Sequence, residues 1–214
     1  MKEPIRILFD WGSTLIRDED LFNYIALQSG NKKTKWESPS SWSKVRVLGG
    51  ENYFNKIVDT FFQMGDEYLG ATECVSSFCS IHSPETESFV IFDNKPALRI
   101  PPEKILKKLS DSLKNRKCDV NMSYIGPDKI SISKQVGIRI LVEDDPRIAI
   151  SSALSGIKTI LMLRKWNRFF RIEDIEYTTK EENIEKIKSN IIIVEDWFEA
   201  GIQISKLVDK MVSS

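Results

Sequence analysis

The stretch Ile5-Arg6-Ile7-Leu8-Phe9-Asp10-Trp11-Gly12-Ser13-Thr14-Leu15 decides how this chain is read. A run of large apolar residues ends in a single aspartate, and a Gly-Ser-Thr turn follows. A short apolar run of this kind predicts a strand buried on both faces, as in a parallel sheet. Asp10 then stands at the strand's carboxyl end, where open α/β sheets carry their ligand crevice. The same grammar returns at Ile138-Arg139-Ile140-Leu141-Val142-Glu143-Asp144-Asp145, where an apolar run again stops at acids. The two strand ends are expected to meet and build one acidic site.

Working outward, residues 88–92 predict a second core strand that ends in Asp93-Asn94. Pro102 suits the first position of a helix, with Ile105, Leu106, Leu109 and Leu113 expected on its inner face. Further strands are predicted at 120–125, 158–162 and 191–194. Helices are predicted at 128–136, 147–154, 181–188 and 196–212. Gly137 and Gly156 close two of them. This alternation implies an α/β fold, a doubly wound (Rossmann-like) parallel sheet. Residues 16–80 delay the second strand. They hold a helical pattern at 51–64 (Phe54, Ile57, Val58, Phe61, Phe62) and a polar loop with Trp36 and Trp42. We read them as a small, mostly helical cap inserted after the first strand. The core domain is then 1–15 and 81–214.

Composition limits the function classes. The 214 residues suit one core domain with a modest insertion. Lysine plus arginine number 31, aspartate plus glutamate also 31, so no basic excess points to a nucleic-acid partner. No apolar run reaches the roughly 18 residues of a membrane span. Cys74, Cys79 and Cys118 form no regular framework and fit reduced thiols, hence a cytoplasmic protein. His82 with Cys74 and Cys79 lacks the spacing of a structural zinc site.

Two acidic strand ends at one crevice repel unless a cation or proton relieves them. A hard divalent ion such as magnesium takes oxygen ligands, and a lysine from the preceding helix, Lys129 or Lys134, balances further charge. Phe9-Asp10-Trp11-Gly12-Ser13-Thr14-Leu15, a late lysine and Val142-Glu143-Asp144 resemble the first, third and fourth motifs of the haloacid dehalogenase-like (HAD) superfamily. Within it the chain looks most like the 5'(3')-deoxyribonucleotidase-like branch. Gly156-Ile157-Lys158-Thr159-Ile160-Leu161-Met162 and the terminal Val194-Glu195-Asp196-Trp197 look similar as well. The resemblance covers about 5–15 and 88–212.

That resemblance implies roles. Asp10 would be the nucleophile that forms an aspartyl-phosphate. Magnesium would be held by Asp10, the Gly12 carbonyl and Asp144, with Glu143 in support. Phosphate would be met by Lys129, Thr14 and Asn94. Lys129 fits the third motif better than Lys134, because it follows the Gly126-Pro127-Asp128 turn. Two positions depart from the family pattern. The phosphatases carry a general acid two residues after the nucleophile, where this chain has Gly12. The second motif expects serine or threonine, where this chain has Asp93-Asn94. The expected activity is magnesium-dependent hydrolysis of a small phosphorylated molecule, nucleotides included. The competing expectation is a HAD-fold protein that has lost efficient catalysis and binds a phosphorylated ligand or a protein partner. Arg164-Lys165-Trp166-Asn167-Arg168-Phe169-Phe170-Arg171 reads first as a surface loop with anchoring rings. It reads second as a contact for a nucleotide phosphate beside the site.

Overall fold

A computed structural model describes residues 3–17, 59–93, 101–126, 128–175 and 181–214. In chain order the strands are β1 (Ile5–Asp10), β2 (Ile16–Arg17), β3 (Asp66–Glu67), β4 (Thr86–Asp93), β5 (Met122–Gly126), β6 (Ile138–Glu143), β7 (Lys158–Met162) and β8 (Ile191–Val194). The helices are α1 (Ala71–Ser77), α2 (Pro102–Asn115), α3 (Lys129–Gln135), α4 (Pro146–Leu154), α5 (Glu181–Asn190) and α6 (Trp197–Val212). Six strands form one sheet in the order β5-β4-β1-β6-β7-β8, and every pairing within it is parallel. β2 and β3 form a separate antiparallel pair.

The strand order runs outward from β1 in both directions. The chain first builds β4 and β5 on one side, then crosses back and adds β6, β7 and β8 on the other. The topological switch therefore falls between β1 and β6, the point at which α/β sheets open a crevice beyond the strands' carboxyl ends. Register completes the placement. Phe9 is level with Val142, so Asp10 and Glu143 leave the sheet side by side.

Alternation along the strands sends side chains to two covered faces. Ile7, Phe9, Val90, Ile140, Val142, Ile160 and Met162 pack with Ile105 and Leu109 of α2 and with Trp197, Ala200, Ile204 and Val208 of α6. Leu8, Phe89, Ile91 and Leu141 face the other way, toward Ile132 and Ile148. Leu161 meets Ala149, Ala153 and Ile187 of α4 and α5 on that same side. Helix boundaries follow local chemistry. Asp128, Asp145 and Asp196 cap α3, α4 and α6 with side-chain oxygens. Pro102 and Pro146 occupy first-turn positions of α2 and α4. Gly137 and Gly156, both at positive φ, turn the chain out of α3 and α4.

One expectation needs amendment. Leu106 is not on the inner face of α2. It is 37 % exposed while Ile105, Leu109 and Leu113 are buried, because one residue along a helix turns the side chain by roughly 100°. The described ends of the expected cap are continuous with the main core. Ile16, Phe61, Phe62, Ala71, Val75 and Phe78 belong to the same packed cluster as β1. Residues 18–58 and the expected second-motif position Asn94 lie outside the described residues. No described helix is long and apolar enough to cross a membrane, and the three cysteines are free thiols.

Candidate active site

Asp10 comes from the last position of β1, Glu143 from the last of β6, and Asp144 and Asp145 follow in the turn before α4. All four carboxylates are buried. The Lys129 ammonium lies among them, 2.6 Å from Asp10 Oδ1 and 2.7 Å from Glu143 Oε2. The Asp128 cap fixes the start of α3 through the backbone N–H groups of Ile130 and Ser131, which orients Lys129 inward. Lys134, the other lysine considered, is exposed in the last turn of α3.

The acids divide by what they hold. Glu143 Oε1 accepts hydrogen bonds from the backbone N–H of Asp144 and of Asp145, each at 3.0 Å, while Oε2 faces Lys129. It props the turn and seats the lysine. Asp145 caps α4 and takes the Arg147 guanidinium on both oxygens, at 3.0 and 2.5 Å. Burial alone would push the Asp145 carboxyl up, but the hydrogen bonds and charge of Arg147 outweigh it and hold the acid below its ordinary value. Asp10 and Asp144 remain as the pair that converge. Thr14 Oγ1 lies 3.1 Å from Asp10 Oδ2 and 2.8 Å from Asp144 Oδ1. A hydroxyl has one proton to give, so one donor is shared between two acids. Thr14, expected at a phosphate, is fully buried and turned to these carboxylates instead.

Oxygens of Asp10, Glu143 and Asp144 all lie within 4.8 Å of one another. Three carboxylates crowd one ammonium, that of Lys129, in a buried space. A hard divalent cation fits both the donor type and the crowding. With Glu143 bound to Lys129 and to two backbone N–H groups, Asp10 and Asp144, which converge on Thr14, are the side chains that would hold such an ion. Gly12 is half-buried, and a Cβ placed on it meets nothing within 4 Å among the described residues.

The basic aromatic loop proves to be part of the site's frame, which the surface-loop reading missed. Arg164 is buried. Its Nε donates to Ser13 O at 2.9 Å and one terminal nitrogen to Thr14 O at 2.8 Å. Its guanidinium lies 3.8 Å from the centre of the Tyr68 ring. Burial pulls this guanidinium below its ordinary pKa, with Tyr68 and Asp144 opposing. Ser13 takes a left-handed conformation, φ 54°, which costs a non-glycine residue about 1–2 kcal/mol, and Arg164 holds its carbonyl there. Asn167 donates to Asp144 O and Met162 O, and Trp166 Nε1 donates to Asp144 Oδ2 at 3.1 Å. Arg168 and Phe169 at the loop's tip are exposed. The only sequence signal for the inner half was an asparagine and a tryptophan set among arginines. His82 pairs with Asp119 at the surface, away from any metal cluster.

No family model and no curated protein matches this sequence. Solved structures match its shape. A HAD-like family hydrolase from Streptococcus pneumoniae superposes with a TM-score of 0.58 at 10 % identity, over 95 % of this chain and 98 % of that one. A HAD family hydrolase from Deinococcus radiodurans R1, solved with bound phosphate and sodium, gives 0.54 at 10 % identity over 96 % and 97 %. L-2-haloacid dehalogenase from Xanthobacter autotrophicus, with chloropropionic acid covalently bound, gives 0.52 at 9 % identity over 94 % and 98 %. The chain has the HAD-like α/β fold.

Proposed function

We propose that this protein is a magnesium-dependent HAD-like phosphohydrolase that acts on a small phosphorylated molecule, nucleotides included, through an aspartyl-phosphate at Asp10. One observation carries the reading: the Lys129 ammonium sits between Asp10 and Glu143 while Thr14 ties Asp10 to Asp144. This supports a reading in which Asp10 is the nucleophile, Lys129 the cation for phosphoryl charge and Asp10 with Asp144 a pair of hard ligands. Magnesium, when held by Asp10, Asp144 and the Gly12 carbonyl, would neutralise charge on the transferring phosphoryl group. Asp10 attacks phosphorus. Lys129 orients Asp10 and lowers the cost of bringing an anion beside it. Glu143 fixes Lys129, and the Arg164–Asn167 loop fixes the turn that carries the nucleophile. Cytoplasmic placement and the nucleotidase-like branch belong to the same proposal, as does a cap within the 16–80 insertion.

The second reading is a HAD-fold protein that binds a phosphorylated ligand or a partner without efficient turnover. Gly12 favours it, because general acid–base catalysis contributes about 10²–10⁴-fold. A screen separates the two. Purified protein with and without magnesium is assayed on a chromogenic phosphate ester, a nucleotide panel and a short 2-haloacid, beside Asp10→Asn. The hydrolase reading expects phosphate release that needs both magnesium and Asp10. Activity no greater than the Asp10→Asn background on every compound leaves the binding reading.

A further inference from the structure

Gly12 follows Asp10 by two residues on the same turn and is half-buried, while Trp11, Ser13, Thr14, Leu15 and Ile16 around it are buried. Its φ is not left-handed, and a Cβ there would meet nothing within 4 Å among the described residues. The nucleophile's nearest surface position therefore has room for a side chain and has none. The other polar groups described around Asp10 face one another. Thr14 faces two carboxylates, Asp144 faces Thr14 and Trp166, Glu143 faces Lys129 and two backbone N–H groups, and Asp145 faces Arg147. Among the described residues each acidic side chain beside Asp10 is engaged by a partner, and Gly12 adds no further group to protonate a departing oxygen.

We propose that the substrate is a phosphate whose leaving group departs without a proton: an acyl phosphate or phosphoanhydride rather than an ester of an alcohol. This rests on the phosphoryl-transfer reading above. In the first step an Asp10 carboxylate oxygen bonds to phosphorus and the bond from phosphorus to the bridging oxygen breaks. The electron pair leaves on that oxygen as a carboxylate or phosphate anion, stable in water at neutral pH. An alkoxide in the same place would need a proton at once. In the second step a water oxygen bonds to phosphorus, the bond to Asp10 breaks, the carboxylate is restored and one proton passes to solvent. The group absent at Gly12 would also have taken that proton, so the aspartyl-phosphate is long-lived.

The test is a single-turnover comparison of acetyl phosphate with glycerol 3-phosphate, both with magnesium. Phosphoryl gain is read on the intact protein by mass spectrometry for wild type, Asp10→Asn, Gly12→Asp and Gly12→Asn. The expected result is Asp10-dependent labelling by acetyl phosphate, persisting after the donor is removed, and little labelling by the ester. Gly12→Asp should speed the ester by about 10²–10⁴-fold and shorten the label's life. Gly12→Asn, equal in shape without the transferable proton, should do neither. Wild-type labelling by the ester as fast as by acetyl phosphate overturns the leaving-group proposal and keeps phosphoryl transfer. Labelling of Gly12→Asp alone also overturns it and supports the non-catalytic reading. No label on any Asp10-bearing protein overturns both.

Discussion

The turns after β1 and β6 are built on opposite plans. The β6 turn carries three acids in a row, and two of them are structural: Glu143 props its own backbone and Asp145 caps α4. The β1 turn carries one acid, a left-handed serine and a glycine, and is braced from outside by Arg164. The first plan yields a rigid wall that offers one carboxylate, Asp144. The second yields a rim with one carboxylate, Asp10, the proposed reactive group. A site of this kind separates stiffness from reactivity, and substitutions should separate them too.

Lys129 joins the two turns, so its loss should have the largest effect. Lys129→Met leaves three buried carboxylates without their ammonium, and removing one partner of a buried ion pair costs about 3–5 kcal/mol. Urea unfolding should show that loss, and the proposed Asp10-dependent activity should vanish. Millimolar magnesium should restore part of the stability if the acids hold it, because an ion that binds only the native state shifts unfolding by mass action. An unchanged midpoint in Lys129→Met would break the idea that one cation couples the turns.

Arg164→Met tests the brace on the β1 turn alone. It strands the Ser13 and Thr14 carbonyls in a buried place, at about 1–3 kcal/mol for each unsatisfied group. Arg164→Lys should not rescue it, since one ammonium cannot reproduce the planar pair of N–H donors. In the assay the expected signature is a fall in kcat with a smaller change in KM.

Asp145→Asn tests the wall. Loss of charge at an N-cap that also grips Arg147 should cost about 1 kcal/mol near neutral pH. The native carboxyl titrates below its ordinary 3.8, so it adds stability above that value and loses it as pH falls through the lowered native pKa. The gap between wild type and variant should therefore be full at pH 6 and close as pH falls through the lowered native pKa. A gap that stays constant with pH would mean the carboxylate charge is irrelevant. Asp10→Asn should have the smallest effect on stability. It removes one of three crowded negative charges, so calorimetry without metal should show equal or slightly higher stability alongside abolished activity.

The wall and the rim differed in legibility. β1 and β6 were readable because strands buried on both faces are near-continuous apolar runs, and the acids mark where the runs leave the sheet. Lys129 was readable through the Asp128 cap that starts its helix. The brace was not, because Arg164 recognises the carbonyls of Ser13 and Thr14, backbone atoms that leave no mark in the sequence. The α1 helix was missed for a related reason: Gly70 precedes it without any side-chain cap, and it spans only 7 residues. Leu106 was misplaced by helix phase, a one-residue error that an apolar pattern on a long helix invites.

The Arg164–Ser13 hydrogen bond joins residues 151 positions apart. On the ribosome, at about 5–20 residues per second, the Asp10 turn therefore waits about 8–30 s for its brace. During that interval β1, the central strand, lacks first β4 and then β6, and its apolar faces are open to whatever meets the nascent chain. The Asp10 turn is among the first parts made and among the last secured. Premature termination anywhere before residue 164 would release a chain with Asp10 but without the arginine that braces its turn.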